Sequence, residues 1–474
     1  MKKGTVIRNA LAIVSCDEAD TVYRNADIFI EDGKISAIGQ ALKVPALKTP
    51  ALQAPAEGEW ETIDASGKFI YPGLVNTHHH FFQTFVRNLL TIDYVNITLI
   101  EWLDKIYRIF KEIDSDVIYY SSLTAMADLL KHGCTCAFDH QYCFTVKTGK
   151  TPVDRQMEAA KLLGIRYHAG RGCNTLPRGE GSTIPDEMRE TTDEFLRDCD
   201  RLISQYHDPK PFAMSRIVVA PCQPVNCYPE TFSESAALAR SRGVRLHTHL
   251  AEGETEIMVN RWGKRSLAWL KDIGFTGPDA WIAHGWELNP DEYGIMAETG
   301  TGLSHCPAPA ILGGCPIIDI PAMIKAGMTV SLGCDGSATN DSSNLLDSLR
   351  TAWLMQAFFS KQRGGSPSPY DMLKIAAVNG AKTLGCPELG SLAPGKGADL
   401  FMIDTEKLEL AGTMHDPKNF LAHTGCTGPV WLTMVNGKTV FHDGQLCGID
   451  EQKLAAEAET VCNRSIRSLF PDFF

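Results

Sequence analysis

The sequence predicts a (β/α)8 barrel carrying a small β-sandwich built from both chain ends, and three observations support this. Between residues 70 and about 385, unbroken apolar runs alternate with helical stretches, and eight such runs can be counted. Histidines and other polar residues gather at the C-terminal tips of these runs. Outside this region the pattern changes to short alternating segments at the two ends of the chain, neither set large enough to hold a core alone. Strands buried on both faces read as continuous apolar runs, and eight of them alternating with helices close into a parallel barrel. The expected organisation is a composite sandwich from residues 1–68 and 386–450, a catalytic barrel over 69–385 and a helical segment over 451–474.

Taken in order, residues 5–9 read as a strand. Lys2-Lys3 ahead of the apolar residues 10–16 resembles an export signal faintly, but Arg8-Asn9 interrupts a stretch already too short, so it reads as a strand. Residues 26–30 alternate, Glu31-Asp32-Gly33-Lys34 forms a hairpin turn, and 35–38 return. Residues 41–58, rich in Ala and Pro, read as a loop. The first barrel strand ends in Pro72-Gly73-Leu74-Val75-Asn76-Thr77-His78-His79-His80. Further runs at 134–138, 166–169, 217–221, 244–246, 280–283, 302–304 and 329–332 lead to His140, Arg171, Cys222, His247 and His249, His284, His305 and Asp335. A helix over 156–163, closed by Gly164, separates the second strand from the third. After 385, strands at 398–403, 430–435 and 439–441 flank an Asn436-Gly437 turn.

Composition bounds the function. The chain has 474 residues, 44% hydrophobic and 22% charged, which supplies a sizeable core. A net charge of −12 and a pI near 5.6 argue against a nucleic-acid partner, which needs a basic face. No window has the apolar length of a membrane span. The 15 cysteines are scattered, several inside apolar runs, and Cys134-x-Cys136 is not a zinc-finger spacing. Reduced, buried thiols in a cytoplasmic protein are expected.

His78 and His80 share a strand face, because side chains alternate, and two imidazoles so placed form half of a divalent-metal site. Nine of the 14 histidines sit at strand tips: His78, His79, His80, His140, His168, His247, His249, His284 and His305. His79, His168 and His247 suit packing roles. His249 and Glu252 form His-x-x-Glu just after a strand, which sets a carboxylate within reach of the chemistry at a metal. His247 shares the face of His249, and spacing alone does not choose between them. Glu254 and Glu256 read as solvated loop carboxylates. Asp335, at an apolar strand tip opposite the imidazoles, would complete a metal shell, and Ser342, Ser343 and Asn344 offer an N-cap to the next helix.

The ordered set of the first-strand triplet, His249-x-x-Glu252, His284, His305-Cys306-Pro307 and Asp335-Gly336-Ser337-Ala338 resembles the amidohydrolase superfamily, in its purine, pterin and s-triazine deaminase branch. The stretches 78–83, 302–307 and 335–341 are most similar to 8-oxoguanine and isoxanthopterin deaminases. The resemblance implies that His78, His80, His249 and Asp335 hold one divalent ion, zinc or iron, and settles the choice in favour of His249. It implies that Glu252 moves the proton, that His284 stabilises the oxyanion, and that Asp335 takes the proton of the attacking water. Strand four offers no Lys or Glu to bridge a second metal, although Cys222 could do so. Gln83 and Arg171 are placed to read the ring, with Trp102, Tyr142 and Cys306 as pocket walls. The expected function is deamination of an oxidised purine or pterin such as 8-oxoguanine, with release of ammonia. The alternative is hydrolysis of an s-triazine or another amino-heterocycle. A homo-oligomer, dimer or larger, is expected.

Overall fold

The structure, a computed structural model, describes residues 4–42, 60–89 and 91–470. The loop expected over 41–58 falls, past residue 42, outside the described residues. Eight strands pair in sequence order, all parallel: Leu74–Asn76, Cys134–Gln141, Arg166–Cys173, Ser215–Pro221, Arg245–Leu250, Ala280–His284, Gly302–His305 and Val330–Leu332. Bonds just past the strand ends close the ring. Thr77 donates to the Leu332 carbonyl from its amide at 3.1 Å and from its hydroxyl at 2.9 Å, and the Asp335 amide donates to the His78 carbonyl at 3.0 Å.

Strand alternation builds two apolar layers. Val75, Cys136, Phe138, Val218, Ala220 and Trp281 fill the barrel interior. Ala137, Tyr167, Ala169, Val219, Leu246 and Ile282 face outward, into the larger layer beneath the helices. The helix before the third strand runs Pro152–Leu163, four residues longer at its start than the sequence suggests, because Pro152 is tolerated in the first turn. None of the helices among the described residues is long and apolar enough to cross a membrane.

Strands from the two chain ends form one nine-stranded sheet. Its centre is Gly4–Val14, bulged between Ile7 and Ala10, with its first half beside Trp60–Asp64 and its second beside Lys68–Pro72. Lys68–Pro72 pairs on its other edge with Leu400–Asp404, and Leu432–Val435 and Lys438–His442 follow. A bridge between Lys34 and Gly397 brings the far side of the sheet back toward this edge. The expected sandwich is thus a single sheet curled over Ile7, Ile28, Ile70, Leu400, Met402 and Leu432. The bulge lets one long strand serve both halves.

Sheet and barrel interlock. Arg166, fully buried at the start of the third barrel strand, makes a bidentate pair with the buried Asp399 at 2.8 and 2.9 Å. Only Gly73 separates Lys68–Pro72 from the first barrel strand. A Cβ there would lie 2.1 Å from the Thr135 hydroxyl, so the close approach requires glycine.

Candidate active site

The tips of strands one, five and eight bring His78, His80, His249 and Asp335 together inside the C-terminal mouth of the barrel. Asp335 Oδ1 lies 3.3 Å from His78 Nε2 and 3.4 Å from His80 Nε2, and His80 Nε2 lies 3.1 Å from His249 Nε2. All four residues are buried. Burial, reinforced by the neighbouring imidazoles for His78 and His249, holds these histidines below their ordinary pKa, so they are neutral.

Backbone carbonyls fix which nitrogen carries the proton. His80 Nδ1 faces the His140 carbonyl at 2.8 Å, and His249 Nδ1 faces that of Cys222 at 2.8 Å. A carbonyl only accepts, so both rings are protonated at Nδ1 and turn a bare Nε2 inward. His78 reaches the same state through a relay. His247 Nδ1 donates to the Trp281 carbonyl at 3.1 Å, which leaves His247 Nε2 to accept from His78 Nδ1 at 3.0 Å. His247 therefore orients His78 from behind. The facing lone pairs of His80 and His249 repel one another unless a cation lies between them. Three neutral imidazole nitrogens and a carboxylate oxygen, with His78 Nε2 lacking any hydrogen-bond partner, fit a divalent metal of the zinc or iron type.

Two of the strand tips adopt unusual backbone. His284 and Asp335 have φ of +75° and +65°, a region that side chains other than glycine seldom occupy, and Asp335 is the very residue whose carboxylate meets the imidazoles.

Glu252 stands beside this cluster, its Oε1 3.3 Å from His284 Nε2 and its Oε2 accepting from Gln223 Nε2 at 3.1 Å. Burial, then the nearby carboxylates of Asp335 and Glu254, push the Glu252 carboxyl well above the ordinary range. Burial lowers His284 to about 4. Glu254, expected to be solvated, is instead buried, because its carboxylate accepts from the Ala251 and Glu252 amides at 2.7 Å each and so secures the loop that carries Glu252.

A narrow cleft opens above these groups. The helix Leu99–Phe110, started by a Thr98–Glu101 capping box, gives the cleft Leu99, Trp102, Leu103 and Tyr107 from one face. The indole N–H of Trp102 is buried without a partner. Gln83 also lines the cleft, and its carbonyl accepts from the Ala338 amide at 3.3 Å. A Cβ on Gly336 would meet that oxygen at 1.9 Å, so this side chain is locked against the Asp335 loop. Tyr142 and Cys222 complete part of the wall.

Two residues expected at the substrate are not brought there. Arg171 has the outward parity of Tyr167 and Ala169 on its strand, so it points beneath the helices. There its guanidinium pairs with Glu190 and Asp198 at 2.5 and 2.8 Å and lies 3.5 Å from the centre of the Phe144 ring. Cys306 is fully buried with its thiol turned toward the Ser304 carbonyl, off the cleft wall. Sequence reasoning missed Gln223 and Asn226 at the cleft. Both lie within five residues of the fourth strand's end, where barrel loops carry function, and that position was the available signal.

The model of the amidohydrolase family matches residues 69–440. The chain is 51% identical, over 96% of its length and 94% of the relative's, to hydroxydechloroatrazine ethylaminohydrolase of Pseudomonas sp. (strain ADP). It is 35% identical to 8-oxoguanine deaminase of Pseudomonas aeruginosa, over 98% of this chain and 99% of the other. Among solved structures, atrazine chlorohydrolase of Arthrobacter aurescens complexed with zinc superposes with a TM-score of 0.89 at 29% identity, covering 97% and 100% of the two chains. The chain belongs to the amidohydrolase family, in the branch of heterocycle deaminases and triazine hydrolases, and is a hydrolase of C–N bonds.

Proposed function

We propose that the protein hydrolyses the exocyclic C–N bond of a hydroxylated, N-alkylamino s-triazine: water adds at the ring carbon, a hydroxyl replaces the amine, and the alkylamine leaves. The observation that carries this reading is the 51% identity, over nearly the whole chain, to an enzyme named for removal of an ethylamino group. The cleft supports it, since Trp102 and Tyr107 offer flat surface and Leu99 and Leu103 offer aliphatic surface for an alkyl substituent. This was the alternative in the sequence reading. Deamination of an oxidised purine, the first reading there, rests on the 35% identical relative and forms the second arm of the test.

A divalent metal held by His78, His80, His249 and Asp335 would act as a Lewis acid and lower the pKa of water toward neutrality. The remaining steps belong to the chain. Asp335 accepts the proton of the attacking water on a carboxylate oxygen. His284, neutral because burial suppresses its charge, hydrogen-bonds the oxygen that becomes negative as the ring carbon turns tetrahedral. Glu252, whose carboxyl is pushed above the ordinary range by burial and by the nearby carboxylates, delivers a proton to the ring nitrogen next to the reacting carbon, then assists the departing amine.

The test is a panel of N-ethylamino hydroxytriazine, amino hydroxytriazine, 8-oxoguanine and isoxanthopterin, scored for amine or ammonia release. Highest kcat/KM on the ethylamino triazine is expected, and preference for a purine or pterin would overturn the assignment. Glu252→Gln should retain metal while kcat falls by about 10²–10⁴. Activity within tenfold of wild type would remove Glu252 from the chemistry.

A further inference from the structure

Behind Glu252 runs a chain of side-chain amides whose orientation is set at its far end by a backbone donor. The Thr183 amide N–H donates to Asn226 Oδ1 at 2.9 Å, and the hydroxyls of Ser182 and Thr183 reach the same oxygen at 3.1 and 3.0 Å. A backbone N–H has one polarity only, so the oxygen of Asn226 must face the 182–183 loop. Its amide nitrogen then points the other way, 3.4 Å from Gln223 Oε1. Gln223 in turn presents Nε2 to Glu252 Oε2 at 3.1 Å. Asn226 and Gln223 are both buried, and the Asn226 carbonyl also receives the Thr175 and Leu176 amides at 3.0 Å each, which pins this residue.

We infer that Asn226 and Gln223 are positioning residues which reserve Oε1 of Glu252, the oxygen facing His284, as the one that takes up and hands over the proton. Gln223 donates into Oε2, so a proton on that oxygen would meet an N–H head-on. The Oε1 oxygen receives no donor from this amide chain and lies 3.3 Å from His284 Nε2. The polarity of one backbone amide thus passes through two side chains and ends as a choice between two carboxyl oxygens. The inference rests on Glu252 being the proton carrier of the proposed reaction.

Asn226→Asp is the informative substitution. One carboxylate oxygen keeps the bonds from residues 182 and 183, but the other now faces Gln223 Oε1 and repels it. Gln223 must turn over, present its oxygen to Glu252 Oε2 and invite the proton onto that oxygen. Assayed on whichever heterocycle of the panel is turned over fastest, the expected result is a loss of kcat of tenfold or more. KM should stay within about threefold, and metal content and melting temperature should be those of wild type. In a Gln223→Leu background the same change should cost kcat less than twofold, because Asn226 acts through Gln223 alone. Equal fractional losses in both backgrounds, or a loss confined to KM, would overturn the inference. Should Asn226→Asp not fold, Gln223→Met, which keeps the bulk and removes the donor, must lower kcat at unchanged KM, and full activity there would overturn it equally. Glu252→Gln measured alongside separates the two levels. If that variant is active, the proton-carrier assignment fails. If it is inactive while Asn226→Asp is unimpaired, only the positioning chain fails.

Discussion

Removing His247 should weaken metal binding although this residue donates no ligand atom. Its Nε2 lies 3.0 Å from His78 Nδ1, and its own Nδ1 is fixed on the Trp281 carbonyl at 3.1 Å. Replacement by Phe leaves the His78 Nδ1–H without an acceptor in a site where both residues have no solvent exposure. An unmade bond of a buried donor costs about 1–3 kcal/mol. The ring escapes this cost by moving its proton to Nε2, where Asp335 Oδ1 at 3.3 Å accepts it, and that tautomer has no lone pair for a metal. The metal must reverse the change, so affinity should fall by roughly 10–100-fold, the range seen when such outer partners are removed. Competition titration with a chelator, following the metal rather than turnover, measures this directly. His247→Gln, whose carbonyl oxygen is able to accept from His78, should recover much of the loss. Undiminished affinity in the Phe variant would refute the tautomer relay.

Two further outcomes follow from the geometry. Burial raises the Asp139 carboxyl to about 7 from an ordinary 3.8, so the native state keeps a proton that the unfolded chain releases. Stability should therefore fall as pH rises from about 4 to about 7, by up to ~1.4 kcal/mol per unit, and Asp139→Asn should lack this component. Urea unfolding of both proteins at pH 5 and 7.5 measures it, and parallel pH dependence would contradict the assignment. Arg171→Met strands Glu190 and Asp198 and should cost about 3 kcal/mol in unfolding experiments. The ratio of kcat/KM between triazine and purine should not change, and a shift in that ratio would place Arg171 back at the substrate.

Much of the site was legible because period-two alternation and strand-end placement are written in the sequence. His78 and His80 needed only the alternation, and Asp335 only its position after an apolar run, whereas alternation left His247 and His249 equivalent and the family resemblance chose His249. The relay through His247 was not legible, because its acceptor is a backbone carbonyl on the neighbouring strand and carbonyls have no sequence signature. Arg171 shows the converse. It lies close to a strand tip, where the expectation placed it at the substrate, but it shares the parity of Tyr167 and Ala169 and so points outward. Glu254 looked like a solvated charge, yet its partners are amides in its own tight loop, a bond set by backbone conformation alone. The curled end sheet was expected in outline, and its single-sheet form depends on the bulge between Ile7 and Ala10, whose signal in the sequence is Asn9, at φ +62°. The preference between triazine and purine is spread over a cleft wall contributed by several loops, and resemblance in the metal motifs does not reach it.

The strand Lys68–Pro72 has a consequence for the order in which the protein comes into being. It leads directly into the strand Leu74–Asn76, just ahead of His78, and its outer edge is held by Leu400–Asp404, with the Gly73 amide bonded to the Asp399 carbonyl at 2.9 Å. Lys68 and Asp404 are 336 residues apart. At a synthesis rate of roughly 5–20 residues per second, tens of seconds pass between the emergence of the two partners. For that interval Lys68–Pro72, which leads into Leu74–Asn76 and the histidines beyond it, lacks the partner on its outer edge, and His249 and Asp335 are synthesised within it. A metal ion that arrives early meets half a site on a loose tether. A complete site therefore requires the late strands, and a chain that stops before residue 399 contains every ligand but lacks the strand that holds the outer edge of Lys68–Pro72.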